Sequence, residues 1–260
     1  MAGLRVEIEA MADPLLQAQG LVKRFGALTA SDRLSLGVEV GELHALIGPN
    51  GAGKTTAIAQ LAGELNPDQG AIRFAGQDVT NLPIERRCRL GLTRSYQITS
   101  LFRGFTALEN VALAVQARAG HSFRFWRPAG RDRRLIEPAE ALLDRLGLGG
   151  RAGIRAADLA HGEQRQLEIA MALATGPRLL LLDEPMAGMG PEESRAMVAL
   201  LSRLKGEVSI LLVEHDMDAV FALADRVTVL VYGRAIATGT PAAIRADPNV
   251  RAAYLGEEGA

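Results

Sequence analysis

The most constraining feature of the sequence is a glycine-rich segment that follows a short apolar run. Residues 48–55 read G-P-N-G-A-G-K-T and come directly after Leu-His-Ala-Leu-Ile at 43–47. A strand, a tight loop and the start of a helix form the context in which this motif binds phosphate. The alternative is a glycine-rich turn with an incidental lysine, but eight positions matching in register favour a nucleoside-triphosphate site.

The residue types of this loop explain how it binds an anion. Its glycines allow a tight turn, so that backbone N–H groups and the positive end of the following helix converge on the phosphates. Lys54 adds a positive charge for the β- and γ-phosphates, and the Thr55 hydroxyl is a ligand for Mg²⁺. The residues predicted to contact the nucleotide here are Gly48, Pro49, Asn50, Gly51, Ala52, Gly53, Lys54, Thr55 and Thr56.

Composition favours a cytoplasmic protein with a packed core. The 260 residues are 48% hydrophobic and carry a formal net charge of −1, which gives no general attraction to nucleic acid or to a membrane. The single cysteine, Cys88, excludes an internal disulfide and suits a reducing compartment. No apolar run approaches the ~18 residues of a spanning helix. Residues 1–14 lack an export-signal pattern and are expected to form a tail, with Met1 and Met11 both possible starts.

Short apolar segments alternate with amphipathic ones, which predicts an α/β fold with a largely parallel central sheet. The clearest strands are predicted at 43–47, 178–182, 208–213 and 227–231. Residues from about 88 to 160 have helical periodicity instead and are predicted to form a subdomain inserted between two core strands. Residues 15–260 are predicted to be one domain that closes with short helices at about 240–255, beginning at Pro241 and Pro248.

A basic and aromatic segment lies within this helical region. Residues 121–134 interleave three aromatic side chains with five arginines. Such a loop can stack nucleobases, or it can rest on the protein or contact a partner. No second basic patch supports a nucleic-acid track, so the structural or partner-contact interpretation is favoured and no nucleic-acid partner is expected.

Two carboxylates follow the leucine run at 179–182. Ligands bind at the carboxyl ends of strands in open parallel sheets, and a leucine run indicates a strand buried on both faces. Asp183 is expected to hold Mg²⁺, usually through water, and Glu184 to polarise an attacking water as general base. A solvated turn is the plainer alternative, and the glycine-rich loop in the same chain favours the catalytic one.

Together with five further matches in the same order, these motifs resemble the ATP-binding subunit of an ATP-binding cassette transporter. The matches are Phe25, Gln97, Leu159–Gln164, Met186–Gly190 and His215. Each alone has a plainer explanation as core, polar surface or loop, but their joint order is specific. The resemblance spans nearly all of residues 15–255. It implies a P-loop ATPase core with a largely parallel sheet, an antiparallel β portion near the N-terminus and an inserted helical subdomain.

The resemblance implies a role for each match. Phe25 would stack on adenine, Gln97 would lie near Mg²⁺, the attacking water and the membrane subunits, and His215 would contact the γ-phosphate. The implied catalytic residues are Lys54, Gln97, Glu184 and His215, and the implied metal ligands are Thr55, Gln97 and Asp183.

Residues 159–164 match the signature L-S-x-G-[QE], which in the family contacts the triphosphate held by a second subunit. The contacting residues would be Ala160, His161, Gly162 and Glu163, at the start of a helix that begins near Glu163. ATP then closes a head-to-tail dimer, and hydrolysis opens it. Two residues depart from the pattern: Ala160 replaces serine, which removes a hydrogen bond worth about 1.5–3 kcal/mol, and Gly190 replaces an aspartate.

Residues 94–102, 161–170 and 213–217 resemble the branched-chain amino-acid uptake subgroup, which also includes ATPases for urea, amides and aromatic acids. The cargo is therefore open among these solutes. The resemblance implies a second ATPase, either distinct or a copy of this chain, two integral membrane permease subunits and an extracytoplasmic solute-binding protein. The chain would work on the cytoplasmic face of the membrane, with a permease helix docked near Gln97 and the helical insert.

Other classes fit less well. DNA-repair members of the family carry long coiled-coil insertions, and translation members fuse two cassettes, neither of which is present, so a transport motor is favoured over a soluble cassette ATPase. A small-molecule kinase has no use for the signature, and a GTPase needs an N-K-x-D element that the sequence lacks. A non-catalytic binding module is disfavoured by Glu184 and His215.

Overall fold

The computed structural model describes residues 13–95, 101–119 and 132–255, and within them ten strands form two sheets. The strands are β1 (Leu16–Phe25), β2 (Leu28–Val38), β3 (Leu43–Ile47), β4 (Gln69–Phe74), β5 (Gln77–Asp78), β6 (Leu92–Arg94), β7 (Leu179–Asp183), β8 (Ser209–Val213), β9 (Arg226–Val231) and β10 (Arg234–Gly239). The helices are α1 (Lys54–Ala62), α2 (Ile84–Leu90), α3 (Ala107–Ala119), α4 (Arg133–Arg145), α5 (His161–Ala174), α6 (Pro191–Leu204), α7 (Met217–Leu223), α8 (Pro241–Ala246) and α9 (Pro248–Leu255). Short 3₁₀ turns lie at Gly149–Arg151 and Ala156–Asp158.

The central sheet has the strand order β10-β9-β3-β8-β7-β6. Its strands run parallel except β10, which pairs antiparallel with β9 at one edge. The second sheet, with order β2-β1-β4-β5, is antiparallel and built mainly from the N-terminal part of the chain. The predicted fold class is therefore confirmed, and the four strands predicted from apolar runs differ from β3, β7, β8 and β9 by at most one residue at either end.

Strands β3 and β7 are buried on both faces and separate two apolar clusters. Leu180 and Leu182 belong to the cluster that contains the helices α3 to α6, and Leu179 and Leu181 belong to the cluster that contains α1 and the antiparallel sheet. Successive side chains of a strand point to opposite faces, so an unbroken leucine run fits a strand covered on both sides. The polar ends of these strands are thus held by two cores at once.

The region predicted as a helical insert contains α3 and α4, and both carry the predicted periodic residues. Val111 and Leu143 are fully buried in the cluster that α3 and α4 share with α5. Strand β6 also lies within residues 88–160, yet it pairs with β7 in the central sheet, so the helices follow that strand. Three residues are too few to give a recognisable strand pattern in the sequence.

The remaining predictions concern the ends of the chain and the basic segment. Helices α8 and α9 begin at Pro241 and Pro248, as the sequence predicts. Of the basic and aromatic segment, only residues 132–134 are described, with Asp132 capping α4; the rest of it and residues 1–12 lie outside the described residues. Within the described ranges, no helix has both the length and the apolar character that crossing a bilayer requires.

Candidate functional site

The glycine-rich loop connects β3 to α1 and fits tightly between neighbouring backbones. A Cβ atom on Gly48 would lie 2.1 Å from the carbonyl oxygen of Leu230, and one on Gly53 would lie 2.3 Å from that of Ala30. Gly53 also has a φ of +100°, which side chains rarely adopt. Any larger residue at these two positions would push the loop out of place, so the fold itself requires glycine at both.

Lys54 is the first residue of α1, and its ammonium group lies against its own loop. The Nζ atom donates to the carbonyl oxygens of Gly48 at 2.5 Å and Pro49 at 2.9 Å, and the residue is buried. Thr55 is exposed and Thr56 half-buried in the first turn of α1. That turn contains no acidic residue, so the helix presents its positive end to the loop without a carboxylate of its own.

Asp183 ends β7 and is almost fully buried. Its Oδ2 atom accepts from Arg94 Nη2 at 2.8 Å, whereas Oδ1 has no hydrogen-bond partner among the described residues. Burial raises the pKa of Asp183, and the Arg94 guanidinium opposes that rise without cancelling it. A buried carboxylate oxygen without a donor is rare in proteins, and a cation with its bound water would satisfy it.

The described residues contain no cluster of three or more His, Cys, Asp or Glu side chains that could enclose a metal by themselves. Mg²⁺ commonly binds through one or two protein oxygens, with water and substrate phosphates completing its shell. The open oxygen of Asp183 and the exposed hydroxyl of Thr55 fit that incomplete kind of site.

Glu184 and His215 follow the adjacent strands β7 and β8 and come close together. Oε1 of Glu184 lies 4.0 Å from Nδ1 of His215, and both side chains are partly exposed. Glu184 has a φ of +47°, a conformation that costs a residue with a side chain about 1–3 kcal/mol. Backbone strain of this kind is concentrated at functional sites, and here it occurs at the residue predicted to act as general base.

Glu214 has a structural role that the sequence does not predict. This residue is fully buried, and its carboxylate accepts from the backbone N–H of Met186 at 2.9 Å and that of His215 at 3.1 Å. Burial raises its pKa, and these N–H donors lower it without cancelling the rise. Glu214 thereby ties the segment after β7 to the segment after β8. The sequence does contain one signal for this role, which is an acidic residue placed between an apolar strand and the histidine.

The signature segment forms the start of α5, which begins at His161, two residues before the predicted start. Ala160 occupies the N-cap, and its methyl group cannot accept a hydrogen bond. Glu163 reaches back instead, so that its Oε2 atom accepts from the Ala160 N–H at 3.0 Å while Arg151 Nε donates to its Oε1 atom at 2.7 Å. The first turn is therefore closed by an acidic side chain of the same helix.

A second carboxylate also meets this turn. Oε1 of Glu193, in the first turn of α6, accepts from the N–H of Gly162 at 3.2 Å. Its Oε2 atom accepts from the N–H of Gly190 at 3.1 Å. Glu193 thus joins the signature helix to the start of α6, a contact that sequence reasoning did not predict.

Phe25 ends β1 with 49% of its surface exposed, which is inconsistent with the alternative of a core aromatic residue. The Lys23 ammonium lies 5.9 Å from its ring centroid. An exposed ring beside a cation offers a face on which a base can stack.

Gln97 lies outside the described residues, as does Tyr96. Beyond that gap, Phe102 and Phe105 are stacked with ring centroids 5.6 Å apart and are 53% and 44% exposed. Ile154 is 39% exposed, and the segments that carry these residues are joined by a hydrogen bond from the Ala156 N–H to the Phe105 carbonyl oxygen. We call Phe102, Phe105 and Ile154 the aromatic patch.

A cavity of about 730 Å³ lies elsewhere, at the edge of the central sheet where β3 and β9 begin. Four of its charged lining residues form two ion pairs: Lys205 lies 2.7 Å from Asp225, and Arg226 lies 3.3 Å from Glu42. The glycine-rich loop is at the opposite ends of these strands, so this cavity is separate from the predicted nucleotide site.

Known proteins resemble this chain over most of its length. The family model for ABC transporters matches residues 31–187, and one for branched-chain amino acid ATP-binding cassette transporters matches residues 236–260. The chain is 41% identical over 254 residues to the high-affinity branched-chain amino acid transport ATP-binding protein BraF of Pseudomonas aeruginosa, covering 95% of this chain and 100% of that one. It is 40% identical over 259 residues to LivG of Escherichia coli, covering 95% and 100%.

Among solved structures, an ATP-binding cassette of an ABC transporter in its ADP conformation has a TM-score of 0.83 and 29% identity, covering 94% of this chain and 100% of that one. A nucleotide-free cassette has a TM-score of 0.81 and 28% identity, covering 92% and 98%.

Proposed function

Because this chain belongs to the ABC transporter family, whose cassettes hydrolyse ATP to drive transport, we propose that it is the motor subunit of an importer for branched-chain amino acids or related small solutes. One observation carries the proposal. The loop after β3, the carboxylates after β7 and the histidine after β8 all lie at the carboxyl ends of three neighbouring parallel strands. Both relatives named above are branched-chain amino acid transport ATP-binding proteins, which supports the cargo class.

In the proposed mechanism the loop from Gly48 to Thr56 binds the phosphates, and the Lys54 ammonium exchanges its loop carbonyl contacts for phosphate oxygens. Thr55, Asp183 and Gln97 would hold Mg²⁺, which supplies positive charge to the triphosphate when bound. The open Oδ1 atom of Asp183 supports that assignment.

Glu184 would accept a proton from the attacking water, as its position beside His215 supports. His215, held by its backbone N–H to Glu214, would contact the γ-phosphate. Phe25 would stack on the base. No acceptor other than water is needed, which separates this function from that of a small-molecule kinase.

The signature segment would complete the site of a second ATPase subunit. In this arrangement Ala160, His161, Gly162 and Glu163 face the triphosphate held by the partner, which is a distinct subunit or a second copy. ATP then favours the closed pair and hydrolysis the open pair.

The aromatic patch supports docking of a permease. Phe102 and Phe105 lie close to Gln97 in sequence, and together with Ile154 they form a partly exposed apolar surface that a partner helix can cover. We propose two permease subunits and an extracytoplasmic solute-binding protein as partners, with this chain on the cytoplasmic face of the membrane.

The test is ATP hydrolysis by the transporter assembled in lipid vesicles. Glu184→Gln should lower turnover about 10²- to 10⁴-fold while ATP binding is retained, because only proton transfer is lost. Turnover should also rise when the solute-binding protein is loaded with leucine rather than urea or an amide. Unchanged turnover in Glu184→Gln would reject the assigned base, and stimulation by urea alone would reject the amino-acid cargo.

A further inference from the structure

Arg94 bridges two carboxylates beside the predicted nucleotide site. It is the last residue of β6, and its side chain is 6% exposed. Nη1 donates to Oε2 of Glu64 at 2.5 Å, and Nη2 donates to Oδ2 of Asp183 at 2.8 Å. The guanidinium therefore joins the end of β7 to the residue that follows the C-cap of α1.

The contact occupies only one oxygen of Asp183. Oδ2 is engaged by Arg94, while Oδ1 has no hydrogen-bond partner in the part of the chain that the structure describes. A guanidinium is planar and donates in fixed directions, so it sets the rotation of the carboxylate that it binds. The free oxygen is thereby held in one orientation.

Glu64 fixes the other side of the guanidinium. Its backbone N–H donates to the carbonyl oxygen of Ala59, which places Glu64 directly after α1, the helix that begins at the phosphate loop. Arg94 is thus anchored to the loop helix while it holds the carboxylate at the end of β7. Groups that orient a metal ligand in this way commonly change metal affinity about 10- to 100-fold when they are lost.

We propose that Arg94 is a positioning residue for the metal, which orients the Asp183 carboxylate so that Oδ1 faces the Mg²⁺ of the bound nucleotide. The inference rests on the proposed function, because it requires that Asp183 serves Mg²⁺. A merely structural ion pair would change the thermal stability of the protein but not the part of nucleotide affinity that depends on metal.

The test compares the dissociation constant of the non-hydrolysable ATP analogue AMP-PNP in EDTA with that in saturating Mg²⁺. The ratio of the two constants is the metal-dependent gain in affinity. In Arg94→Met this gain should fall about tenfold, with the EDTA constant unchanged. Asp183→Asn is the reference for loss of the ligand. Glu64→Gln is the matched control, because it breaks only the other arm of the bridge, at a partly exposed carboxylate, and should alter the gain less than about threefold.

Arg94→Lys keeps the charge without the planar fork and should give a gain between those of the wild type and Arg94→Met. It also serves if Arg94→Met fails to fold, since a wild-type gain in Arg94→Lys would then overturn the inference. A wild-type gain in a folded Arg94→Met, with a reduced gain in Asp183→Asn, overturns the inference alone. An unchanged gain in Asp183→Asn overturns both the metal assignment and the inference.

Discussion

Two helix N-termini are expected to bind the same kind of anion, and their surroundings differ. Helix α1 begins in the glycine-rich loop and has no acidic residue in its first turn. Helix α5 begins at the signature, where Glu163 and Glu193 accept hydrogen bonds from the backbone N–H groups of Ala160 and Gly162. No acidic side chain of its first turn would compete with a phosphate at the first N-terminus, whereas two N–H groups at the second already donate to carboxylates of the same chain.

The difference predicts that phosphate binds first at α1 and only afterwards at α5. Phosphate binding at α1 requires only that a lysine side chain change partners, whereas binding at α5 requires that Glu193 release the N–H of Gly162. Substitutions at the two N-termini should therefore affect different steps. Those near the start of α1 should change nucleotide binding by the single chain, and those near the start of α5 should change dimer closure with a partner.

The largest effect is expected when glycine is replaced by alanine at each of the two helix N-termini in turn. Gly53→Ala adds a Cβ against the Ala30 carbonyl oxygen and strains a positive φ, which together cost about 2–6 kcal/mol. Gly162→Ala meets only the end of the Glu193 side chain, at 2.9 Å, and that side chain can move. For the isolated chain, the AMP-PNP affinity and the midpoint temperature of thermal unfolding should both fall in Gly53→Ala. Both should stay close to the wild-type values in Gly162→Ala. Equal effects on affinity would contradict the comparison.

Lys54→Ala should follow in size. The variant loses a charged donor to the phosphates, so AMP-PNP affinity of the single chain should fall about 10- to 100-fold. Equilibrium dialysis at fixed Mg²⁺ measures this change. Lys205→Ala is a control, because that lysine pairs with Asp225 at the opposite edge of the sheet. Similar losses in the two variants would indicate a general charge effect.

Glu193→Gln should have a smaller effect, confined to closure. Without its negative charge the side chain is a weaker acceptor for the Gly162 N–H, so the γ-phosphate replaces it more easily. In a Glu184→Gln background, ATP-dependent association with the partner ATPase should become about 2- to 5-fold tighter, since the amide oxygen still accepts and only part of a hydrogen bond worth about 0.5–1.5 kcal/mol is lost.

The matched control for this prediction is Glu192→Gln, which removes a neighbouring exposed carboxylate from the same turn. Sedimentation of the ATP-bound pair gives the affinity. Weaker association in Glu193→Gln alone would mean that Glu193 supports the closed pair rather than competing with it.

Ala160→Ser should have the smallest effect. Serine can cap α5 and offer a hydroxyl to the γ-phosphate, so turnover of the assembled transporter should be equal or higher. The steady-state rate at saturating ATP measures this. A clear decrease would show that the alanine is not a deficit, because the reach of Glu163 already closes the turn.

The sequence predicts the features that depend on local pattern. Buried parallel strands appear as bounded apolar runs, which is why the sequence predicts the ends of β3, β7, β8 and β9 to within one residue. Helices α3 and α4 follow from their periodicity. Strand β6 is three residues long and cannot be recognised without its partner β7.

Contacts between distant residues could not be predicted. Gly162 and Glu193 are 31 residues apart, and Arg94 and Asp183 are 89 apart, so no local pattern connects them. The sequence predicts the start of α5 two residues late, because Ala160 is an unusual cap and the side chain that replaces it lies inside the helix.

The two apolar clusters on either side of β3 and β7 limit how this chain can be shortened. Helices α3 and α4 share one continuous cluster with Leu180 and Leu182, so deleting them would open a core instead of trimming a surface. Each leucine newly facing water loses about 1.5–3 kcal/mol, against about 5–15 kcal/mol for a whole domain. A shortened version of this enzyme must therefore keep its inserted helices, even if it is used only to hydrolyse ATP and not to drive transport.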